Sequence, residues 1–448
     1  MIPIDLKEKN MLALEYQHKE HKSENRERAR MEQKYGHLMK EELYLSNLVS
    51  YMGNRNIPLL RLYKYKEAFS FPFVRDFLRR LGITSNDYVF DPFAGMGTTL
   101  FASMLYGIPS IGVDKLPVAT FVAETIPKFL SIRRGELTSA LENLRNDVSM
   151  ILPAPVAIDV PIMELAFNRE TILRLRQWKA AIDRLESPLK EVFLLLFFAI
   201  LEETSYTSKD GQFLRLIKDK KVSDPDEALS RKVSESEEDI ARVKWFVQNI
   251  NGSIDCLPKV FHGDATDLRD IPFDKPPTAV ITSPPYANRY DYTRSYCLEL
   301  CFHFVTCFEE LKEIRFGIIR SHIESKVSDA EKPPHPVVGE VVECLSAKKL
   351  NNPRIPYMLT GYFIDMEKAI NEWSRVLAPD AKVAMVVDNV RFEGELVPVD
   401  LVLTEIAEEA GFETKEIVIS RYKGNSSQQM KKYGRVPVRE SVVIWRKI

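Results

Sequence analysis

From about residue 60 to its end, the chain alternates short apolar runs rich in β-branched residues with stretches whose apolar positions recur at helical spacing. That alternation predicts an α/β fold with a doubly wound, mostly parallel sheet. The runs Tyr88 to Asp91 and Ser110 to Val113 read as the first two strands, with a helix from Thr98 to about Tyr106 between them. Lys259 to His262 and Ala279 to Thr282 read as the next two, and Lys382 to Val387 follows a helix over Gly361 to Leu377. At the end, Glu413 to Arg421 and Glu440 to Arg446 are strand-like, and the polar loop between them is too short for a crossover helix. An antiparallel C-terminal hairpin is expected there.

Two regions break the alternation. Lys7 to Leu48 is strongly charged, lacks Pro and has a single Gly, so residues 1–55 read as a helical, peripheral extension. Ile132 to Asn251 carries apolar positions at helical spacing and a dense charged stretch from Lys218 to Arg242. It reads as a helical insertion, a DNA-recognition or lid element once a nucleic-acid role is considered. The division expected is 1–55, 56–131, 132–251 and 252–448, the second and fourth pieces forming one domain around the insertion.

Composition narrows the classes. With 45% hydrophobic and 28% charged residues in 448, the chain is of ordinary globular type. No apolar run approaches the roughly 20 residues that cross a bilayer, and Met1 to Asn10 lacks the apolar core of a secretory signal, so a cytoplasmic location is expected. The five cysteines form no CxxC pair and the seven histidines no ligand cluster, so neither a disulfide framework nor a metal site is expected. A formal net charge of -2 gives no global attraction to a polyanion. Locally, Arg421 to Lys447 holds eight Lys or Arg against one acid, Glu440, a run suited either to phosphates or to a solvated surface.

The chemistry concentrates at predicted strand ends. Asp91-Pro92-Phe93-Ala94-Gly95-Met96-Gly97-Thr98-Thr99 follows one strand and opens a helix, and its glycines allow a sharp turn and a close approach to a ligand. Asp114, 19 residues after Gly95, ends the next strand where an acid can accept from ribose hydroxyls. His262-Gly263-Asp264-Ala265 adds a third acid on the same edge, placed to accept from an adenine amine. These residues resemble the amino-methyltransferases of DNA, whose first motif reads DPFxGxGT. The resemblance implies a Rossmann-like methyltransferase fold and S-adenosyl-L-methionine as cofactor, with Phe93 to Gly97 around its methionine part, Asp114 at the ribose and Asp264 at the adenine. Leu62 to Ser70 is similar to the family's cofactor-flanking motif, which makes Phe69 and Ser70 further candidate contacts.

Thr282-Ser283-Pro284-Pro285-Tyr286 ends the fourth strand and is the most specific feature of the chain. Consecutive prolines fix φ and remove backbone donors, leaving a rigid loop whose carbonyls stay free to accept. An exocyclic amine is a poor nucleophile because its lone pair is conjugated with the ring, and acceptors for its two N–H groups draw it towards tetrahedral geometry. Ser283 and the Pro284 carbonyl are the candidate acceptors, with Pro285 stiffening the loop and Tyr286 offering a face for a base swung out of the duplex. The loop resembles the S-P-P-Y motif of cytosine-N4 methyltransferases; adenine-N6 enzymes more often carry Asp or Asn in place of the serine. Asn288 to Tyr296, with Arg294 as a candidate DNA contact, and Arg439 to Val443 also look like that family. The order departs from the commonest cytosine-N4 arrangement, because here the glycine loop precedes the S-P-P-Y loop. Cytosine-C5 enzymes need a cysteine nucleophile after a proline, and the chain has no Pro-Cys dipeptide.

The reading is thus transfer of a methyl group to cytosine N4 in double-stranded DNA, with a companion restriction endonuclease as the implied partner. Adenine N6 and an RNA amine stay open as alternatives, and a non-catalytic nucleotide- or DNA-binding protein is the reading from another class. Gln428, Lys431, Lys432 and Arg435, in the loop of the hairpin, are the expected backbone contacts. Sequence readout is expected from the polar patch Ser205 to Gln212 or from Arg315, Arg320, His322 and Arg354.

Overall fold

The computed structural model describes residues 25–448, apart from 210–212, 251–255, 329, 425–431 and 435. Its centre is an eight-stranded sheet of β1 (Met39–Glu41), β2 (Val89–Asp91), β3 (Ser110–Asp114), β4 (Lys259–His262), β5 (Ala279–Thr282), β6 (Lys382–Asp388), β7 (Phe412–Lys423) and β8 (Val438–Lys447). Their spatial order is β1-β7-β8-β6-β5-β2-β3-β4. Only β8 runs against its neighbours: it is antiparallel to β6 and β7, whereas β4, β3, β2, β5 and β6 are mutually parallel and β1 is parallel to β7. This is the Rossmann-like methyltransferase sheet, mostly parallel and ending in an antiparallel hairpin. The carboxyl ends of β2, β3, β4, β5 and β6 share one edge, and Glu440, paired with Asp388, brings the start of β8 to it.

Alternate side chains of the strands feed two apolar layers, as the two-residue period requires. Phe90, Ile111, Val280, Met385 and Val443 pack with the helices Pro336–Ser346, Ile355–Val376 and Val399–Glu409. Val89, Ile281, Ala384, Val386 and Val442 pack on the other face with the helix Phe71–Arg80.

The N-terminal segment is neither wholly helical nor peripheral. Its described part forms the helix Arg26–Tyr35 and then β1, which extends the sheet beside β7. Met31 and Tyr35 are buried in the same layer as the strands. A three-residue strand leaves no readable periodicity, and the charges that suggested solvent are paired: Arg28 with Glu340 and Glu395, both at 2.7 Å.

Between β3 and β4 run the helices Glu136–Asp147, Pro161–Ala166, Arg169–Ile182, Leu189–Leu201 and Pro225–Ile250, with a small strand pair at Thr207–Ser208 and Arg215–Leu216. Their side chains, among them Trp178, Phe193 and Phe197, belong to one apolar cluster with Phe101, Val118 and Val122 from the helices that follow β2 and β3. No described helix is long and apolar enough to cross a membrane.

Candidate active site

The glycine loop is set by backbone geometry. Gly95 has φ +52° and Gly97 φ +82°, and a Cβ on Gly97 would lie 2.9 Å from that of Ala123. Gly97 caps the helix Thr98–Leu105, and the Ala94 N–H donates to Val113 O at 3.0 Å, which fastens the loop to β3. Asp114 then accepts from Gly95 N and Leu116 N, each at 2.8 Å. Burial raises the Asp114 carboxyl to about 6, against the pull of those backbone donors.

Asp91 has a different place from the one its motif suggests. It is 2% exposed and accepts from Thr282 Oγ1 at 2.7 Å and Phe93 N at 3.2 Å, so it ties the tip of β2 to that of β5 beneath the loop. Burial pushes its carboxyl up to about 7. Ala94 and Thr98 are buried behind the loop as well.

A crevice of about 580 Å³, open mouth included, is lined by Pro92, Phe93 and Gly95 from the glycine loop, Asp114 from β3, Asp264 and Ala265 after β4, and Ser283 and Pro285 after β5. Asp264 accepts from Thr266 N at 2.9 Å and faces Lys115 Nζ at 3.4 Å. Residues from three strand ends and the S-P-P-Y loop therefore share one cavity. Pro284 is buried in that loop.

Phe69 and Ser70 are not in the crevice. The Ser70 hydroxyl caps the helix Phe71–Arg80, accepting from Phe73 N at 3.4 Å and donating to Leu48 O at 2.8 Å, and Phe69 packs on Phe73. The same segment contributes Tyr65 and Glu67 instead. Tyr65 stacks on Tyr296 with ring centres 4.8 Å apart and passes 3.1 Å from where a Cβ of Gly95 would be, while Glu67 accepts from the Tyr296 hydroxyl. Tyr292, inside a segment already singled out, and Gly317 to Ile319, which nothing in the sequence marks, complete the wall.

Tyr286 points to the hairpin. Its hydroxyl donates to Glu440 Oε1 at 3.0 Å, and Lys423 Nζ lies 5.3 Å from its ring centre. Glu440, 1% exposed, is also held by Lys423 at 2.6 Å and by Arg421, and Lys423 reaches Asp388 at 3.1 Å. Burial, the largest cause, raises the Asp388 carboxyl to about 7 although Lys423 pulls the other way.

Much of the described basic run pairs with acids of the chain itself. Beyond Arg421 and Lys423, Arg439 pairs with Asp400 and Glu32, Arg446 with Glu413, and the exposed Lys432 with Glu393 at 2.7 Å. Gln428, Lys431 and Arg435 lie outside the described residues. Arg294 is exposed, with its guanidinium 5.1 Å from the ring centre of Phe213 in the insertion. Among the described residues, no group of three or more His, Cys, Asp or Glu could hold a metal ion.

Comparison with known proteins shows the family to which the chain belongs. Residues 6–121 match the N6/N4 family model described as DNA methylase. The type II methyltransferase M.BsoBI of Geobacillus stearothermophilus is 33% identical over 94% of this chain and 92% of its own length. M.AvaI of Nostoc sp. is 33% identical over 93% and 92%, and M.MvaI of Kocuria varians 21% over 71% and 73%. Among solved structures, the rRNA methyltransferase aviRa of Streptomyces viridochromogenes overlaps at a TM-score of 0.31, with 12% identity over 85% of each chain. At that overlap the fold rests on the strand order above. The chain belongs to the N6/N4 DNA methylase family, among the type II methyltransferases.

Proposed function

We propose that the protein methylates the N4 amine of a cytosine swung out of duplex DNA, with S-adenosylmethionine as methyl donor, as the modification partner of a restriction endonuclease reading the same sequence. The observation that carries this reading is the shared crevice: Ser283 and Pro285 line the same cavity as Gly95, Asp114 and Asp264.

The residues fit the cofactor. Asp114 is a half-buried acid with backbone donors but no cation among its described partners, suited to ribose hydroxyls, and Asp264, also half-buried, is suited to an adenine amine. Glu67 adds negative charge to the wall, which favours a cationic ligand. S-adenosylmethionine supplies a methyl carbon made electrophilic by its sulfonium. The chain's own contribution is to hold the amine. The Ser283 hydroxyl and the Pro284 carbonyl accept from its two N–H groups, and the prolines keep both acceptors fixed before the base arrives. The Tyr286 ring, anchored through its hydroxyl on Glu440, gives the base a face to stack on.

Serine rather than an acid or an amide at position 283 supports cytosine over adenine. Expression in a methylation-free host, followed by nucleoside mass spectrometry and base-resolved sequencing, tests it: N4-methylcytosine at a fixed site is expected, and N6-methyladenine in its place would overturn the choice of base.

A further inference from the structure

Beside the crevice lies a second hollow, lined by Phe316, Glu324, Lys326, Arg354 and Tyr357 among others. Its wall is continuous with the first, since Phe316 faces the hollow and the next three residues, Gly317 to Ile319, face the crevice. The helix Ile355–Val376 leads back to the start of β6, which runs parallel to β5, so its first turn, with Tyr357, lies at the carboxyl edge of the sheet.

The polar groups here differ from their neighbours in sequence. Arg315 is tied to Asp291 and Glu324, both at 2.9 Å, and Arg320 to Asp365 at 2.7 Å and Glu331 at 2.9 Å. His322 is buried against Arg315 O. Three of the four groups expected to read DNA in this stretch are thus internal struts. Lys326 and Arg354 are exposed, and neither pairs with a carboxylate among the described residues; Lys326 Nζ rests 4.4 Å from the ring centre of Phe316. The acid of this wall, Glu324, is already neutralised by Arg315. Tyr357 and Phe316, both on the wall of the hollow, keep 52% and 39% of their surface exposed.

Unpaired cations beside exposed aromatic rings, in a concavity that opens next to a base-modifying crevice, match a nucleic-acid strand: phosphates take the charges, and sugars or bases lie on the rings. We propose that this hollow grips the DNA backbone flanking the methylated base, with Lys326 and Arg354 on phosphates and Tyr357 against the adjoining nucleotide. The inference rests on the assignment of the protein to the DNA methyltransferases.

The test uses the full-length protein and a fluorescent duplex of arbitrary sequence, with anisotropy read over a salt series. Removing both cations (Lys326→Ala with Arg354→Ala) is expected to weaken binding and lower the log-log salt slope by about 2, with cofactor affinity by calorimetry unchanged. Tyr357→Ala is expected to cost about tenfold in affinity with no change in slope. A control pair, Arg79→Ala with Lys275→Ala, removes two exposed cations near the amino edge of the sheet and should leave the slope unaltered. If wild type binds the duplex and the Lys326/Arg354 variant keeps its affinity and slope, or if the control pair falls equally, the hollow is not the grip. A wild type that binds no duplex overturns the hollow together with the DNA assignment, whereas a change of methylated base leaves the hollow standing.

Discussion

The two halves of the crevice are built by opposite means. On the side proposed for the cofactor, Asp114 is held by the backbone N–H groups of Gly95 and Leu116, and Asp91 by the backbone N–H of Phe93 and the hydroxyl of Thr282 from the neighbouring strand end. On the side proposed for the target base, Tyr286 is held by Glu440, 154 residues on in the chain, and Glu440 by Arg421 and Lys423 across the hairpin. The first half is fixed mainly by uncharged donors at adjoining strand ends and keeps its acids desolvated. The second is fixed by a buried ionic cluster that exists only when the hairpin has closed on β6. Cofactor affinity and methyl transfer should therefore fail separately.

The largest effect expected is from Gly95→Trp. Its positive φ strains any side chain, a Cβ would lie 3.1 Å from the Tyr65 ring, and an indole would project beside the crevice that Gly95 lines, so S-adenosylmethionine binding by calorimetry should be lost while circular dichroism stays native. Retained binding would mean that the cofactor lies elsewhere. Next comes Ser283→Ala, with transfer slowed about 10²-fold or more in single turnover and cofactor affinity unchanged; wild-type rates would remove the loop from the chemistry.

A pH series probes the cofactor half. Asp114 lies at about 6 because burial disfavours its charge, and the carboxylate is the form that best accepts from ribose hydroxyls. Below pH 6 binding must expel a proton, so affinity should fall by up to about tenfold per unit as pH drops and level off above it. Asp114→Asn should flatten the profile. Stability moves the other way. With folded values above the ordinary carboxylate range, Asp91 and Asp114 hold protons that the unfolded chain has released, so their contribution declines as pH rises from about 4 towards 7. Thermal melts of Asp91→Asn against wild type over that range would detect it.

The smallest effect sharpens the target half. Tyr286→Phe keeps the ring and loses the anchor, while Glu440 retains Arg421 and Lys423. A loss of about fivefold or less in transfer is expected, against a much larger one for Tyr286→Ala. Equal losses in single-turnover rates would show that the hydroxyl matters and the stacking face does not.

The same contrast explains what was legible in the sequence. The strands, the glycine loop and the rigid S-P-P-Y loop are local, and a few consecutive residues specify them. Phe69 and Ser70 lie outside the crevice, because similarity to a flanking motif does not say which of its side chains turn inward; Tyr65 and Glu67 do. The ion pairs of the basic run are not legible in it because the acids concerned, Asp388, Glu393, Asp400 and Glu413, come from other elements. β1 is too short to leave a periodic trace, and Gly317 to Ile319 reach the crevice only through the long excursion after β5.

The described buried residues of the insertion, finally, share their apolar cluster with the helices beside the glycine loop. Because Trp178, Phe193 and Phe197 sit in one apolar cluster with Phe101 and Val122, the helices around the cofactor loop and those of the insertion bury each other. Melting should then be a single cooperative event in calorimetry, and cofactor binding should slow protease cleavage within the insertion as well as near the crevice. A graft of this segment from a relative must bring along the helix faces it packs against, so a transplant judged only by its DNA-facing residues would fail in the core before its specificity could be read.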